Sequence, residues 1–495
     1  MPGARKSAQY IFLGNLFSKL ITFIGSIVLA RILFPEDYGY LLMAMIVTGF
    51  AQTLANMGFE NYYLQEIIKD KEHEKNILNV TFKMRIALNT TMFFIQFFGS
   101  YFVADYYQQA VVGELLRLFS FNYLITGFSV INLFILRKKL NYKPETIANV
   151  SRDIIGTIVK IILAMMGFGV LSFAYGALVG NLVRSMIIFF SQRFSFELNV
   201  WDSDEFKKIL FFGKHSLLGG VGNYFSTYID KVLITKYFSA SESGYYYFAN
   251  AQSSTLYNYT VYPQSSLFLS YIAKYKTNPK RLFNVLSKLS YMIGILSLPL
   301  MLFLLFYAEP IFQLVFGEKW NGSIVLFQIF LVYNYLKVLV FPLTGVLTGF
   351  GYPQIVSKLS IIRLVVLGLS LTMLLQITSN IYFYALMYVL IVLLFDWMKG
   401  ALGLKIMHYT LLTYLYKMQF ISIFLIALLQ ITILFILNGL MAHENIFFQM
   451  LFSVFILSVS TIFIAYFLQK QQLLSSLELF VSSNHKIMRI LKKYE

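Results

Sequence analysis

The chain has 495 residues, 58% of them apolar and only 13% charged, with a formal net charge of +17. So apolar a composition excludes an ordinary soluble domain; at about 20 residues per membrane-crossing helix it supplies about fourteen spans. The absence of cysteine excludes disulfides and thiolate metal sites, and five scattered histidines offer no metal centre.

The N-terminus carries Arg5 and Lys6 ahead of an apolar run of about 25 residues, too long for a signal-peptide core, so it is expected to stay as the first helix. Apolar runs between polar breaks then predict helices near 9–34, 40–63, 80–104, 113–136, 145–167 and 169–190. A second six are predicted near 208–238, 245–273, 282–307, 322–350, 354–377 and 381–406, and a last pair near 419–438 and 446–469. The expected fold is an all-α polytopic membrane protein of 14 transmembrane helices. Its expected parts are two six-helix bundles (1–200 and 207–410), helices 13 and 14 (415–470) and a basic amphipathic tail (471–495). In that tail Leu473, Leu477, Phe480, Ile487 and Leu491 recur at helical spacing.

Lys and Arg test this layout, because they collect in every second connection when the spans are counted correctly. With the N-terminus inside, 25 of the 40 basic residues fall in inner segments and only Arg31, Lys236 and Lys319 in outer ones. The basic excess is therefore read as membrane orientation and not as nucleic-acid binding. Both termini are expected in the cytoplasm, and no outer connection is long enough to fold as a domain.

The two bundles carry signs of duplication. LFPEDYGY (Leu33 to Tyr40) after the first helix corresponds to the turn around Tyr237 to Ala249 after the seventh, with Phe34 matching Phe238 at a shift of 204 and Gly39 matching Gly244 at 205. Pro144 and Pro353, which open the fifth and eleventh helices, differ by 209. Such a repeat is a transporter signature with the substrate site between the halves. Asn15, Lys19, Thr22 and Ser26 lie on one face of the first helix, and a shift of 204 turns them into Gly219, Asn223, Ser226 and Asp230. A polar stripe of one phase in both halves suits a wet cavity, although helix–helix hydrogen bonding also explains its small polar residues.

A Lys or Arg near mid-membrane costs about 2.5–3.5 kcal/mol on insertion scales, so those unable to reach a surface need a reason. Lys19, Lys160, Lys231, Lys337 and Arg363 are the deepest, while Arg152, Arg184 and Lys288 are as well explained by snorkelling or ion pairs. Deep acids are few: Asp153, Asp230 and Asp396. The reading takes Lys19, Lys160, Arg363, Asn15, Asn223 and Lys337 as lining a cationic cavity for an anionic amphiphile. Asp230 and Asp153 are candidates for a coupling ion or proton, with compensation by Lys231 as the rival role of Asp230. No metal or cofactor is expected.

LARILFPEDYGYLLMA (Leu29 to Ala44) resembles the opening of the Wzx-type polysaccharide flippases, in the superfamily that also holds multidrug and toxin extruders. INLFILRKKLNYKPETIANV (Ile131 to Val150) is similar to that family's loop between helices four and five, most of all in the colanic acid and teichuronic acid exporter subgroup. The resemblance implies a non-enzymatic flippase of the bacterial cytoplasmic (inner) membrane, acting by alternating access. Its implied cargo is an undecaprenyl-pyrophosphate-linked oligosaccharide, and its partners are membrane lipids and a polysaccharide polymerase or other assembly proteins. The alternatives are a cation-coupled multidrug extruder of the same fold, disfavoured because the first helix carries Lys19 and no acid, and a peptidoglycan lipid-precursor flippase. A membrane glycosyl polymerase or ligase is disfavoured by the lack of a long outer loop.

Overall fold

A computed structural model describes residues 2–197, 199, 201–260, 265–441 and 444–481, with side chains described outside 2–13, 15–16, 256, 259–260, 265–267, 269–270 and 468–481. Each of the fourteen predicted spans coincides with a helix or a broken pair of helices, and no strand occurs among the described residues. In chain order these are α1 (Pro2–Ile32), α2 (Pro35–Asn56) with α3 (Phe59–Gln65), α4 (Lys71–Tyr107), α5 (Ala110–Gly127) with α6 (Val130–Lys138), α7 (Lys143–Met165) and α8 (Leu171–Ser191). Next come α9 (Ser203–Tyr237), α10 (Ala240–Thr260) with α11 (Ser265–Tyr275), α12 (Pro279–Phe306), the short α13 (Ala308–Ile311) and α14 (Ile324–Thr344) with α15 (Val346–Gly349). Then follow α16 (Pro353–Ile377), α17 (Ile381–Ile406), the short α18 (Leu411–Lys417), α19 (Phe420–Leu440) and α20 (Ile446–Val481).

Among the described residues nine helices are long and apolar enough to cross a membrane unaided, and α5 with α6, bent by 50°, makes one more as a pair. The predicted spans outside that set are α1, α7, α9 and α10 with α11, and the first three carry the deep charges Lys19, Arg152, Asp153, Lys160, Asp230 and Lys231. Charged residues inside spans are what helices lining a polar interior should show.

Local chemistry sets the helix ends. Asp70 accepts from His73 N at 2.8 Å, Asp202 from Glu205 N at 3.0 Å, and Asn278 from Arg281 N at 3.0 Å, each satisfying amides that the first turn leaves open. Pro35, Pro279 and Pro353 occupy first helical positions, where a missing N–H costs nothing. The break between α2 and α3 falls at Met57 and Gly58, both with left-handed backbone (φ 38° and 69°). In the tail, α20 runs unbroken from the last predicted span through Leu473, Leu477 and Phe480, whereas Ile487, Leu491 and the terminal basic cluster lie outside the described residues.

The chain divides into two compact units, 1–247 and 248–495. In the first, α7 and α8 meet at backbone distance: a Cβ added to Gly176 would lie 2.7 Å from the Gly156 carbonyl oxygen, and one on Gly180 2.9 Å from the Arg152 carbonyl oxygen. Small residues at a helix crossing gain dispersion contacts where lipid offers no hydrophobic drive to association. A hydrogen-bonded knot joins α2, α4 and α5, in which Tyr123 Oη donates to Gln96 Oε1 (2.8 Å) and Gln96 Nε2 to the Leu116 carbonyl (2.9 Å). In the second unit α12 is buried along most of its length. Tyr414 fixes α18 beside it, donating to the Leu339 carbonyl at 2.9 Å and bonding Ser290. The predicted outer connection after the ninth span is no open loop: α13, a π-helical turn and a 3-10 turn fold it over Trp320, which is fully buried and stacks on Phe248 at 3.9 Å.

Candidate functional site

Two chambers inside the first unit are lined by Arg85, Arg152, Arg184 and Lys160. The larger, about 540 Å³, is walled by the C-terminal end of α2, by α3, α4, α5 and α6, and by Arg152, Asn181 and Arg184 of α7 and α8. Three guanidiniums, those of Arg85, Arg152 and Arg184, line it, together with the side-chain amides of Gln52, Asn56, Asn61, Asn89, Asn122 and Asn181. Its single acid, Glu60, is committed to Arg137, which also forks onto Glu145 of α7 with Nε at 3.0 Å. The second chamber, about 430 Å³, is lined by Lys160, Phe119, Phe173, Tyr228, Tyr247 and by Leu41, Met45, Thr48, Gly49 and Gln52 of α2. Gln52, Asn122 and Asn181 line both, so an amide waist joins a guanidinium chamber to an aromatic chamber with one lysine.

The α7–α8 crossing positions the cations. Glycine at 176 leaves room for the Lys160 stem, which lies across α8 at that point, and the ammonium sits 5.9 Å from the Phe173 ring centre. Arg152 is held by Asp153 Oδ1 through Nε (2.9 Å) and Nη2 (2.7 Å), while Asp153 also accepts from Ser18 of α1. Arg184 Nε donates to Asn149 Oδ1 at 2.8 Å. Arg85 spends one nitrogen on the Ala55 carbonyl and another on Asn56 Oδ1 at 2.9 Å, so its charge also faces the carbonyl end of α2, where a cation is favoured.

Of the residues singled out from the sequence, Lys160 lines the smaller chamber, and Asp153 braces Arg152, which lines the larger. Lys19 lies half-buried on α1, the Asn15 side chain is outside those described, and Asn223 is exposed on α9. Asp230 is fully buried, accepting from Tyr246 Oη at 2.8 Å with Lys231 Nζ at 3.3 Å, the compensated arrangement weighed against a coupling role. Arg363 and Lys337 belong to the second unit, in one cluster. Arg363 faces Asp396 at 4.0 Å, Tyr333 Oη donates to Asp396 at 3.4 Å, and Lys337 lies over the rings of Tyr257 (4.7 Å) and Tyr333 (5.5 Å). Arg85 went unremarked in the sequence and Arg184 was as easily a snorkelling residue. The available signal was the run of amides at Asn56, Asn89, Asn122, Asn149 and Asn181, one on each of α2, α4, α5, α7 and α8, at depths where amides are costly.

Residues 28–325 match the polysaccharide biosynthesis protein family, more than half of the chain. The chain belongs to this family. Among its relatives, the lipopolysaccharide biosynthesis protein WzxC of Escherichia coli K12 is 22% identical over 344 residues, 68% of each chain. The teichuronic acid biosynthesis protein TuaB of Bacillus subtilis 168 is 22% identical over 326 residues, 66% of each chain. The resemblance to Wzx-type polysaccharide flippases is thereby borne out. The lipid II flippase MurJ in an inward closed conformation superposes with a TM-score of 0.77 at 13% identity, over 94% of this chain and 99% of that one, which establishes a shared fold. The expected all-α polytopic membrane fold holds, and the protein is a multi-pass membrane protein.

Proposed function

We propose that the protein is a flippase that moves a polyprenyl-pyrophosphate-linked oligosaccharide across the bacterial cytoplasmic membrane for assembly of a surface polysaccharide, by alternating access and without catalysing a covalent step. The observation that carries this reading is the pair of joined chambers, cationic at one end and aromatic at the other, enclosed in a protein whose outer helices are apolar. Neither an uncharged free sugar nor a simple hydrophobic drug would make use of an array of guanidiniums. An amphiphile with a pyrophosphate and a glycan uses both. Arg and Lys are suited to phosphate oxygens, Arg through its planar fork. The flippase reading gives Lys160, Arg152 and Arg184 the neutralisation of the cargo's anionic group, and Lys19, Arg363 and Lys337 a share in its passage. The rival multidrug extruder has less support, because Asp153 and Asp230 are already engaged by Arg152 and Lys231.

The reading puts both termini in the cytoplasm, and the alternation of basic loops supports it. The test is reconstitution: purified protein in liposomes carrying fluorescent undecaprenyl-pyrophosphoryl oligosaccharide on one leaflet. Protein-dependent appearance of the label on the other leaflet supports the reading. Liposomes no faster than protein-free controls overturn it.

A further inference from the structure

A separate cavity of about 400 Å³ lies at the end of the first unit where α4 turns into α5 and α9 into α10. It shares no lining residue with the two joined chambers. Its size falls within the range of about 300–1,000 Å³ usual for small-molecule sites.

The polar groups on its wall are accessible and uncommitted. Lys236, in the last turn of α9, is exposed and joins no ion pair; its ammonium lies 5.4 Å from the ring centre of the adjacent Tyr237. Gln108 and Gln109 make backbone hydrogen bonds but no side-chain ones, and Gln109, although it immediately precedes α5, does not cap that helix with its side chain. The Tyr106 ring is 60% exposed. Tyr107 beside it is pinned: its hydroxyl donates to Thr235 Oγ1 at 3.2 Å, because the proton of that oxygen goes to a carbonyl of α9. The bond ties the end of α4 to the end of α9 and so holds two sides of the cavity together. Asp105 and Glu242, the acids of these two turns, stand outside the wall, and Glu242 is turned onto the amide and hydroxyl of Ser239.

These groups select the ligand. One ammonium in a wall without carboxylates suits a single negative charge. Two side-chain amides, each both donor and acceptor, suit hydroxyls, which are both as well. An open tyrosine ring offers a surface to the C–H face of a sugar. A sugar ring bearing a carboxylate uses all three. A neutral sugar leaves Lys236 unmatched, and a phospholipid meets Lys236 through its phosphate but brings acyl chains that use neither amide.

We propose that this cavity is an outer-face saccharide site for a carboxylate-bearing sugar: Lys236 pairs with the carboxylate, Gln108 and Gln109 bond the hydroxyls, and the ring stacks on Tyr106. Its outward position rests on the flippase reading. On that reading the joined chambers meet the glycan during passage and this site meets it after it has crossed.

The test is a titration of full-length protein in phosphatidylcholine nanodiscs with methyl glucuronide and methyl galacturonide, and with methyl glucoside and methyl galactoside as their neutral counterparts. The wild type should bind at least one uronide about tenfold more tightly than its neutral counterpart, through the charge-assisted bond to Lys236. Lys236→Gln should abolish that preference, and Tyr106→Ala should weaken binding of the uronide about fivefold. Both side chains are exposed, so the fold does not depend on either. A wild type that binds uronides no better than neutral sugars, or variants that keep the wild-type affinity, overturn the site. Loss of uronide binding when phosphatidylglycerol is added to the nanodiscs gives Lys236 to a lipid phosphate and overturns it as well. Each of these failures leaves the flippase reading standing, since no probe carries a pyrophosphoryl lipid and no readout is flipping.

Discussion

Gly244→Ala offers a sharp perturbation of the end of the molecule where α1 turns into α2 and α9 into α10. The two turns are built alike: Phe34 N donates to Asp37 Oδ2 at 2.9 Å, and Ser239 N to Glu242 Oε2 at 3.0 Å, each an acid three residues into its helix. They also touch, with Ser241 Oγ donating to Glu36. Contact is backbone to backbone. A Cβ on Gly244 would lie 2.7 Å from the Pro35 carbonyl carbon and one on Gly39 2.7 Å from that of Ala240, each closer still to the oxygen, where an ordinary contact begins at 3.4 Å. Alanine in a helix is intrinsically favoured over glycine by roughly 1 kcal/mol, which acts in open and closed forms alike and so cancels. Overpacking costs about 1–3 kcal/mol and here meets backbone that no rotamer change can move. Taking about 2 kcal/mol, the ratio of touching to separated forms falls roughly thirtyfold. The chain has no cysteine, so a Glu36→Cys, Ser241→Cys pair reports the contact by its rate of disulfide formation in membranes. Gly244→Ala and Gly39→Ala should each slow that rate by an order of magnitude and impair export. Crosslinking at the unmodified rate in both variants would refute the glycine contact as a closure.

Lys160→Ala and Arg152→Ala should each reduce polymer export severely with membrane levels of the protein near normal; export at wild-type rate in both would remove them from the transport path. Arg137→Ala breaks two half-buried ion pairs that tie α6 to α3 and α7, at a cost of roughly 1–3 kcal/mol after allowance for solvent screening, read as a lowered melting temperature in detergent. An unchanged melting temperature would deny the bracket. Asp230→Asn keeps an oxygen for Tyr246 but strands Lys231, so it should lower thermal stability and leave the dependence of flipping on an imposed ion gradient as in the wild type. Loss of that dependence would make Asp230 a coupling residue.

The helical plan was legible because a membrane forces each span to satisfy its own backbone, so length and hydropathy alone mark where helices lie. The breaks were less so. The predicted span 40–63 hides the left-handed kink at Met57 and Gly58, and 113–136 hides the bend after Gly127, since both sequences remain apolar through the kink. Lys160 could be picked out as too deep to snorkel. Arg85 could not, because its value as a wall residue depends on the α2 carbonyl end that receives it, 30 residues away.

Composition and the motif around Phe34 to Gly39 therefore determined class and family, both of which depend on local sequence read against the bilayer. Tertiary structure decided which cations share a chamber. Burial at a helix crossing follows from what the facing helix leaves open, as glycine at 176 does for Lys160, and no single segment encodes that complementarity. It also separated Asp230, enclosed by Tyr246 and Lys231, from Asn223, exposed two turns earlier on the same helix, although one stripe of the sequence had joined them.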